Sequence, residues 1–238
     1  MIWIYCSIVT LLLLLSWSSL TKAFVLKRWY HELHLKQHQT IFQKIYNDVD
    51  GFALSRIART HQDAMEYTYG EIEFIPFIAL ISMTNPSQKT RFYDLGSGTG
   101  KAVIACALVF DMQEYCGIEL FNELHLAAIK QQEKLRQLSP YEINAQRIHF
   151  IQDDFLKADI SKASLIFINA TALFGPTWEQ LNQRLLTETT IGTTIITTSK
   201  PLIVSTQYLL TNTTKVSMSW GVVTAYIHVY NEQKGQRS

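Results

Sequence analysis

The chain has 238 residues, of which 47% are hydrophobic and 17% charged, and its formal net charge is +1. This length and this share of apolar side chains exclude an intrinsically disordered protein and suffice for one well-filled domain with additional elements. The charges are nearly balanced and no long basic run occurs, which argues against a nucleic-acid-binding surface.

The first segment along the chain is apolar from Ile2 to Leu20 and contains no charged side chain. A helix of this length is about as long as the hydrocarbon core of a bilayer is thick. Lys22, Lys27 and Arg28 follow it, and basic residues after a span hold the downstream chain in the cytoplasm. We therefore expect a transmembrane anchor over residues 1–22 and a membrane-attached cytoplasmic domain. A cleaved signal peptide, with secretion, is the alternative.

The next segment, residues 23–66, is charged and rich in aromatic side chains, and its spacing indicates one or two helices that link the anchor to a domain over 67–238. His31, His34 and His38 fall near one helix face. No carboxylate or thiol completes a ligand set around them, so the segment predicts a solvated helix face and no metal site.

Strands and helices alternate from Arg91 onward, which is typical of a parallel α/β sheet. The predicted strands are Arg91–Leu95, Tyr115–Glu119, Ile148–Gln152, Ser164–Ile168 and Thr193–Thr197. The predicted helices are Lys101–Val109, Asn122–Gln137 and Thr177–Leu186. The last stretch, Val216–Tyr230, alternates around Gly221 and predicts a hairpin.

A glycine turn follows the first predicted strand, where Asp94 precedes Gly96, Gly98 and Gly100. Such a turn lets a ligand approach the backbone and the N-terminus of the next helix. Glu119 ends the second strand, roughly twenty residues later, where nucleotide-binding sheets place a ribose-binding carboxylate. A dinucleotide site has a wider glycine spacing, and Asp94 would repel a phosphate. S-adenosylmethionine carries an ammonium, a sulfonium and a ribose but no phosphate, so the pattern favours it over a nicotinamide dinucleotide.

Two further motifs follow the third and fourth strands. Asp154-Phe155 predicts an adenine contact, with the carboxylate accepting from the exocyclic amine and the ring stacking on the base. A helix N-cap followed by a core phenylalanine is the alternative. Asn169 begins the loop after the fourth strand, where its carbonyl could be offered to an amine nucleophile.

Several motifs occur in an order that resembles the disruptor-of-telomeric-silencing family, the histone lysine methyltransferases that lack a SET domain. They are Tyr69-Gly70-Glu71, Asp94-Leu95-Gly96-Ser97-Gly98-Thr99-Gly100, Asp154-Phe155-Leu156, Ile166-Phe167-Ile168-Asn169, Phe174-Gly175-Pro176 and Ser199-Lys200-Pro201-Leu202. The resemblance covers roughly residues 67–202. Many methyltransferases share the glycine motif, whereas the ordered set is much more specific.

The resemblance implies a Rossmann-like, seven-stranded class I methyltransferase sheet. This sheet would be mostly parallel, with an antiparallel C-terminal hairpin and preceding helices. It also implies S-adenosylmethionine as the methyl donor. In this sequence Tyr69 and Glu71 would cover its methionine end, and Asp94 with Gly96, Gly98 and Gly100 would hold the amino-acid part. Glu119 would bind the ribose, Asp154 with Phe155 the adenine, and Asn169 would lie beside the transferred methyl group.

The sequence departs from the family pattern in the loop after the fourth strand. The family commonly has two asparagines where this chain has Asn169-Ala170, and one extra residue precedes Phe174-Gly175-Pro176. The register of the loop is therefore open, and Thr171 would share the catalytic role with Asn169 and Tyr69.

The expected reaction is direct methyl transfer to a protein lysine amine, in a channel lined by Phe174, Trp178 and Tyr69. The alternatives are a membrane-linked enzyme for a non-histone protein, such as a rotor-subunit lysine, a small-molecule methyltransferase, and a membrane-attached module that binds the donor without turnover.

Overall fold

The computed structural model describes residues 23–61, 70–203 and 206–231. A seven-stranded sheet lies at its centre, in the order β3-β2-β1-β4-β5-β7-β6. The strands are β1 (Arg91–Leu95), β2 (Glu114–Glu119), β3 (Ile148–Gln152), β4 (Leu165–Ile168), β5 (Thr194–Thr198), β6 (Tyr208–Met218) and β7 (Gly221–Tyr230). Strands β1 to β5 pair in parallel, and β7 is antiparallel to both of its neighbours. The predicted fold class is therefore confirmed.

Helices flank this sheet and precede it. They are α1 (23–32), α2 (Leu35–Ile45), α3 (Gly51–Ala58), α4 (Phe74–Ser82), α5 (Lys101–Val109), α6 (Asn122–Arg136), α7 (Glu142–Gln146) and α8 (Gly175–Glu188). Short 3₁₀ turns cover Arg59–His61 and Ala170–Ala172. The predicted glycine-turn helix and the strand before it have the bounds that the periodicity gave, because both are almost entirely buried.

The final hairpin is longer than its predicted extent. β6 begins at Tyr208, although the sequence indicated a strand only from Val216. Five consecutive residues after Tyr208 are exposed, so this part of the strand has no alternation of apolar and polar side chains. The sequence analysis missed the first part of β6 because this part is a strand only through its pairing with β7, which local periodicity does not reveal.

The sheet is covered by apolar side chains on both faces, as a parallel sheet requires. Along β4, Leu165 and Phe167 belong to the core under α2, α4 and α5, while Ile166 and Ile168 belong to the core under α8. All four side chains are at most 3% exposed. This burial on two sides fixes the carboxyl ends of β1 and β4, between which the strand order reverses.

The N-terminal helices pack against this domain. Leu35 and Ile45 of α2 are at most 1% exposed and lie in the same core as α5. Tyr46, directly after α2, donates its phenolic O–H to the Thr99 carbonyl at 3.0 Å. Helix α2 is thus bonded to the glycine turn. The predicted boundary between a helical linker and the catalytic domain stays a prediction.

The transmembrane prediction is wrong for the part of the chain that the structure describes. No helix in residues 23–61, 70–203 or 206–231 combines the length and the apolarity that a bilayer crossing needs. The longest of them, α6, has 15 residues. It therefore reaches ~22 Å, against a hydrocarbon core of ~30 Å. The apolar segment itself, residues 1–22, lies outside the described residues. The predicted membrane partner and membrane-anchored location therefore find no support in the described helices.

Candidate active site

A pocket opens at the carboxyl ends of β1, β2 and β4, where the strand order reverses. This is the position at which open α/β sheets bind ligands. Its lining residues are Ser55, Gly70, Glu71, Ile72, Asp94, Leu95, Gly96, Ser97, Gly98, Lys101, Ala102, Glu119, Leu120, Phe121, Leu124, Phe155, Phe167, Asn169 and Leu173. The structure thus brings together most of the residues that the sequence predicted for a cofactor site.

The glycine turn after β1 is bonded to the end of β2. The N–H groups of Gly96 and Ser97 both donate to the Ile118 carbonyl, at 2.9 and 3.0 Å. The next N–H, that of Gly98, donates to Oε2 of Glu119 at 2.8 Å. Three successive N–H groups are therefore occupied by the protein, whereas a phosphate-binding turn offers such groups to its ligand.

The turn also requires glycine for two different physical reasons. Gly96 has φ +84°, and a Cβ there would meet nothing within 4 Å, so its backbone faces open space in the pocket. Gly100 has φ +79°, and a Cβ there would lie 2.5 Å from the ring of Phe150. The first glycine leaves room for a ligand, and the second lets α5 pack closely on β3.

Two buried carboxyl groups lie on either side of this turn. Asp94 is 4% exposed, and burial, with a smaller contribution from the charge of Glu119, raises its pKa to about 8. Glu119 accepts from the N–H groups of Gly98 and Phe121, at 2.8 and 2.9 Å. Burial nevertheless raises the pKa of Glu119, because it outweighs the lowering effect of the backbone hydrogen bonds from Phe121, Gly98 and Leu120. Such a pair favours a ligand that brings positive charge.

The hydroxyl of Ser97 gives a further indication of a polar ligand. Its Oγ is buried and has no hydrogen-bond partner among the described residues. Ser97 lines the pocket beside both carboxyl groups. A buried hydroxyl without a partner is costly, and a bound polar molecule would satisfy it.

The wall opposite the glycine turn comes from the segment before α4. Nζ of Lys101, at the start of α5, forms an ion pair with Oε2 of Glu71 at 2.5 Å. The same ammonium lies 5.3 Å from the centroid of the Tyr46 ring. Tyr69, which was predicted together with Glu71 for this wall, lies outside the described residues. Lys101 is a site residue that the sequence analysis did not single out.

The residues predicted for adenine take different positions. Phe155 lines the pocket, together with Leu120 and Phe121. Oδ1 of Asp154 accepts from the Leu156 N–H at 2.8 Å and thus closes a turn. Asp154 is not among the residues that line the pocket. Its predicted contact with adenine stays a prediction.

Arg184 of α8 holds the backbone around Phe155 in place. Its guanidinium donates to the carbonyl oxygens of Phe155 and Ala158, at 2.5 and 2.8 Å. Glu188 accepts from the same guanidinium, at 2.5 and 2.7 Å. The sequence gave no signal for this contact, because 29 residues separate Arg184 from Phe155.

Asn169 is the centre of a hydrogen-bond network at the other end of the pocket. Its Nδ2 donates to the Gly70 carbonyl at 3.1 Å. Its Oδ1 accepts from the hydroxyls of Thr171 and Thr198, at 3.0 and 2.8 Å. An amide oxygen has two lone pairs, and both are used here. The carbonyl that the sequence suggested for an amine nucleophile therefore already accepts two hydroxyls, and one N–H of the Asn169 amide remains beyond the bond to Gly70.

Thr171 lies in this network, and its hydroxyl also contacts that of Ser199 at 2.6 Å. Because Thr171 donates its single proton to Asn169, Ser199 is the donor to Thr171. The predicted pairing of Asn169 with Thr171 is thus present as a direct hydrogen bond. Their catalytic roles stay predictions.

Phe174 and Trp178, the two described side chains among those expected to line a lysine channel, already contact a cation of this chain. Nζ of Lys200 lies 3.7 Å from the centroid of the Phe174 ring and 5.6 Å from that of Trp178. The same ammonium donates to the Leu173 carbonyl. Desolvation lowers the pKa of Lys200. From the sequence, Lys200 is only one member of the Ser199-Lys200-Pro201-Leu202 motif, with no role of its own.

Comparisons with known proteins agree with this architecture. A protein of Gibberella zeae named "Histone-lysine N-methyltransferase, H3 lysine-79 specific" is 26% identical over 150 residues, which are 60% of this chain and 30% of that protein. A Caenorhabditis elegans protein of the same name is 30% identical over 139 residues, 56% of this chain and 15% of that protein. The chain therefore matches less than a third of the length of either relative.

A solved structure shares the fold. The RNA methyltransferase from Salinibacter ruber, in complex with S-adenosyl-L-homocysteine, superposes with a TM-score of 0.53 at 22% sequence identity, over 67% of this chain and 93% of that one.

The family described as "Histone methylation protein DOT1" matches residues 55–231. This range spans more than half of the chain and includes the glycine turn, both buried carboxyl groups and Asn169. The resemblance predicted from the sequence is confirmed, and the chain belongs to the DOT1 histone methylation family.

Proposed function

We propose that the chain is an S-adenosylmethionine-dependent methyltransferase that modifies a lysine amine of a protein. The observation that carries the proposal is the glycine turn with its two buried carboxyl groups. The N–H groups of Gly96, Ser97 and Gly98 are bonded to β2, and Asp94 and Glu119 lie beside them. This arrangement suits a cationic ligand without phosphate, and the relatives' names supply the lysine acceptor.

The residues fit the donor part by part. Asp94 would pair with the ammonium of the amino-acid portion, beside the open backbone at Gly96. The remaining acceptor capacity of the Glu119 carboxylate, beyond its backbone hydrogen bonds, would accept from the ribose hydroxyls. Phe155 would stack on the adenine. Ser97 has a free hydroxyl for any of the polar groups between them.

The acceptor end of the pocket lies between Asn169 and Leu173. Bound S-adenosylmethionine supplies an electrophilic methyl group on its sulfonium. A lysine amine has an unperturbed pKa of about 10.4 and must lose a proton before it attacks. Phe167 and Leu173 give the pocket an apolar wall, and desolvation there would lower the pKa of an entering amine. Much of the rate would come from alignment of the amine with the methyl group.

Asn169 would contribute to this alignment through its second N–H. Its first N–H is bonded to Gly70, and its oxygen is bonded to Thr171 and Thr198. These bonds join the segment before α4 to the ends of β4 and β5. We expect Asn169 to orient groups at the reaction centre and not to accept the proton of the lysine.

The test combines donor binding with methyl transfer. Purified protein is titrated with S-adenosylmethionine and, separately, with NAD in a calorimeter. It is then incubated with labelled S-adenosylmethionine and recombinant histone H3, free and in nucleosomes, and with fractionated lysate. Labelled protein is identified by mass spectrometry. We expect donor binding, no NAD binding and label on a lysine side chain.

Two matched variants make the test specific. Glu119→Gln removes a buried charge at the proposed ribose site and should weaken donor binding at least tenfold, the usual size for a charged hydrogen bond. Glu179→Gln changes an exposed acid of α8 and should bind as the wild type does. Saturation by NAD in place of S-adenosylmethionine would refute the donor. Label found only in a small metabolite would refute the protein acceptor.

A further inference from the structure

Three consecutive residues at the end of β5 contact three residues of the loop after β4. The Thr198 hydroxyl donates to Oδ1 of Asn169 at 2.8 Å. The Ser199 hydroxyl contacts that of Thr171 at 2.6 Å. Nζ of Lys200 donates to the Leu173 carbonyl. We call Thr198–Lys200 the strap and residues 169–174 the acceptor loop.

The strap is itself attached firmly to the sheet. The Ser199 N–H donates to the Thr224 carbonyl of β7 at 2.8 Å. The Thr197 hydroxyl donates to the Lys200 carbonyl at 2.7 Å. Ser199 has φ +70°, an uncommon conformation for a residue other than glycine. The surrounding bonds hold this backbone in place, so the strap provides a fixed reference for the acceptor loop.

Lys200 is the last residue of the strap and has the most contact partners of the three. Its ammonium contacts the Leu173 carbonyl and lies over the rings of Phe174 and Trp178. Trp178 is 8% exposed, whereas Phe174 is 55% exposed. A cation over a half-exposed ring is attracted to it by about 0.5–1 kcal/mol and so favours one position of that ring. Leu173 lines the pocket, so fixing its carbonyl fixes part of the acceptor wall.

We propose that Lys200 is a positioning residue for methyl transfer: by bonding the Leu173 carbonyl and covering the Phe174 and Trp178 rings, it holds the acceptor loop in the register that aligns Asn169. It does not touch the donor and is not the acceptor. The kinetic part of this inference rests on the proposed function. The structural part, the ordering of the acceptor loop, does not.

Hydrogen exchange tests the structural part without any acceptor. In Lys200→Met, amide exchange in residues 170–176 should accelerate about tenfold, as expected when a charged hydrogen bond and a cation–π contact are lost. Residues 94–100 should exchange as in the wild type. Lys200→Arg keeps a cation and should restore most of the protection. Lys162→Met changes an exposed lysine and should have no effect.

Kinetics with nucleosomal histone H3 test the functional part. Lys200→Met should lower kcat about tenfold with donor affinity changed less than twofold, and Lys200→Arg should recover most of the rate. Phe174→Leu removes the ring but leaves the ammonium in place, and it should give a smaller loss. It serves as the second variant if Lys200→Met does not fold.

The outcomes separate the alternatives. Unchanged exchange in 170–176, or faster exchange throughout the chain, would overturn the positioning role. A methyl group found on Lys200 itself would overturn it as well, because Lys200 would then be an acceptor. Wild-type protein that transfers no methyl group, together with accelerated exchange confined to 170–176 in Lys200→Met, would refute the proposed function and leave the strap supported.

Discussion

The affinity for S-adenosylmethionine should rise with pH because of Asp94. Burial raises the pKa of this carboxyl to about 8, so it is mostly neutral at pH 6 in the free protein. An ammonium bound beside it favours the ionised form. Binding therefore releases a proton, and the dissociation constant falls as the pH rises toward 8.

The size of this effect follows from the pKa. For a group with a pKa of about 8, the ionised fraction rises about 20-fold between pH 6.0 and 7.5. The affinity should rise by the same factor, which corresponds to ~1.8 kcal/mol. The pH range ends at 7.5 because α-amino groups like that of the ligand begin to lose their own proton near pH 8.

Calorimetry gives both the affinity at each pH and the number of protons released on binding. Titrations at pH 6.0, 6.5, 7.0 and 7.5 give the dissociation constants. Two buffers with different heats of ionisation give the number of protons released, which should be about 0.9 at pH 7. Asp94→Asn should bind more weakly at pH 7.5 and lose the pH dependence. Glu179→Gln should keep it.

Two results would refute the reasoning. A wild-type affinity that does not change between pH 6.0 and 7.5 would mean that Asp94 is already ionised in the free protein. A pH dependence that survives in Asp94→Asn would assign the proton to another group, such as Glu119, whose pKa is also raised by burial.

Three further predictions concern stability. Asp94→Asn should stabilise the ligand-free protein at pH 7 by ~2.6 kcal/mol more than at pH 5. The reason is that the wild-type carboxyl, with its raised pKa, costs the folded state progressively more stability from about pH 4 up to pH 8. Equal effects of the substitution at both pH values in denaturant titrations would contradict this. Gly100→Ala should destabilise the protein by ~2–4 kcal/mol, since the new Cβ would lie 2.5 Å from the Phe150 ring. Gly192→Ala, at φ +88° with nothing within 4 Å of the new Cβ, should cost only ~1 kcal/mol. Similar losses for the two variants in thermal unfolding would show that backbone strain, and not the contact with Phe150, dominates. Tyr115→Phe should lower the free energy of unfolding by ~1–3 kcal/mol, because the fully buried phenol donates to the Phe110 carbonyl and accepts from the Met112 N–H. A loss under about 0.5 kcal/mol in chemical unfolding would mean that water takes the place of the phenol hydroxyl.

The donor half of the site was predictable from the sequence. Asp94 is the penultimate residue of β1, the glycines follow that strand directly, and Glu119 ends β2. Their positions therefore depend only on where two buried strands stop. Parallel strands bring their carboxyl ends to the same edge of a sheet. The ordered motifs then identified the family. These features are local in the sequence or follow from the alternation of strands and helices that makes the sheet parallel. A single sequence was therefore enough to predict the donor half of the site.

The acceptor half was decided by the tertiary structure. Asn169 bonds Gly70, which is 99 residues away, and Thr198, which is 29 residues away. The contacts of Lys200 with Leu173 and of Arg184 with Phe155 have sequence separations similar to that between Asn169 and Thr198. Whether an amide offers its carbonyl or its N–H depends on which lone pairs its neighbours have already used. The sequence names the residue types that meet at the sheet's edge, but the hydrogen-bond partners of a side chain are set by elements that are distant in the chain and adjacent only after folding.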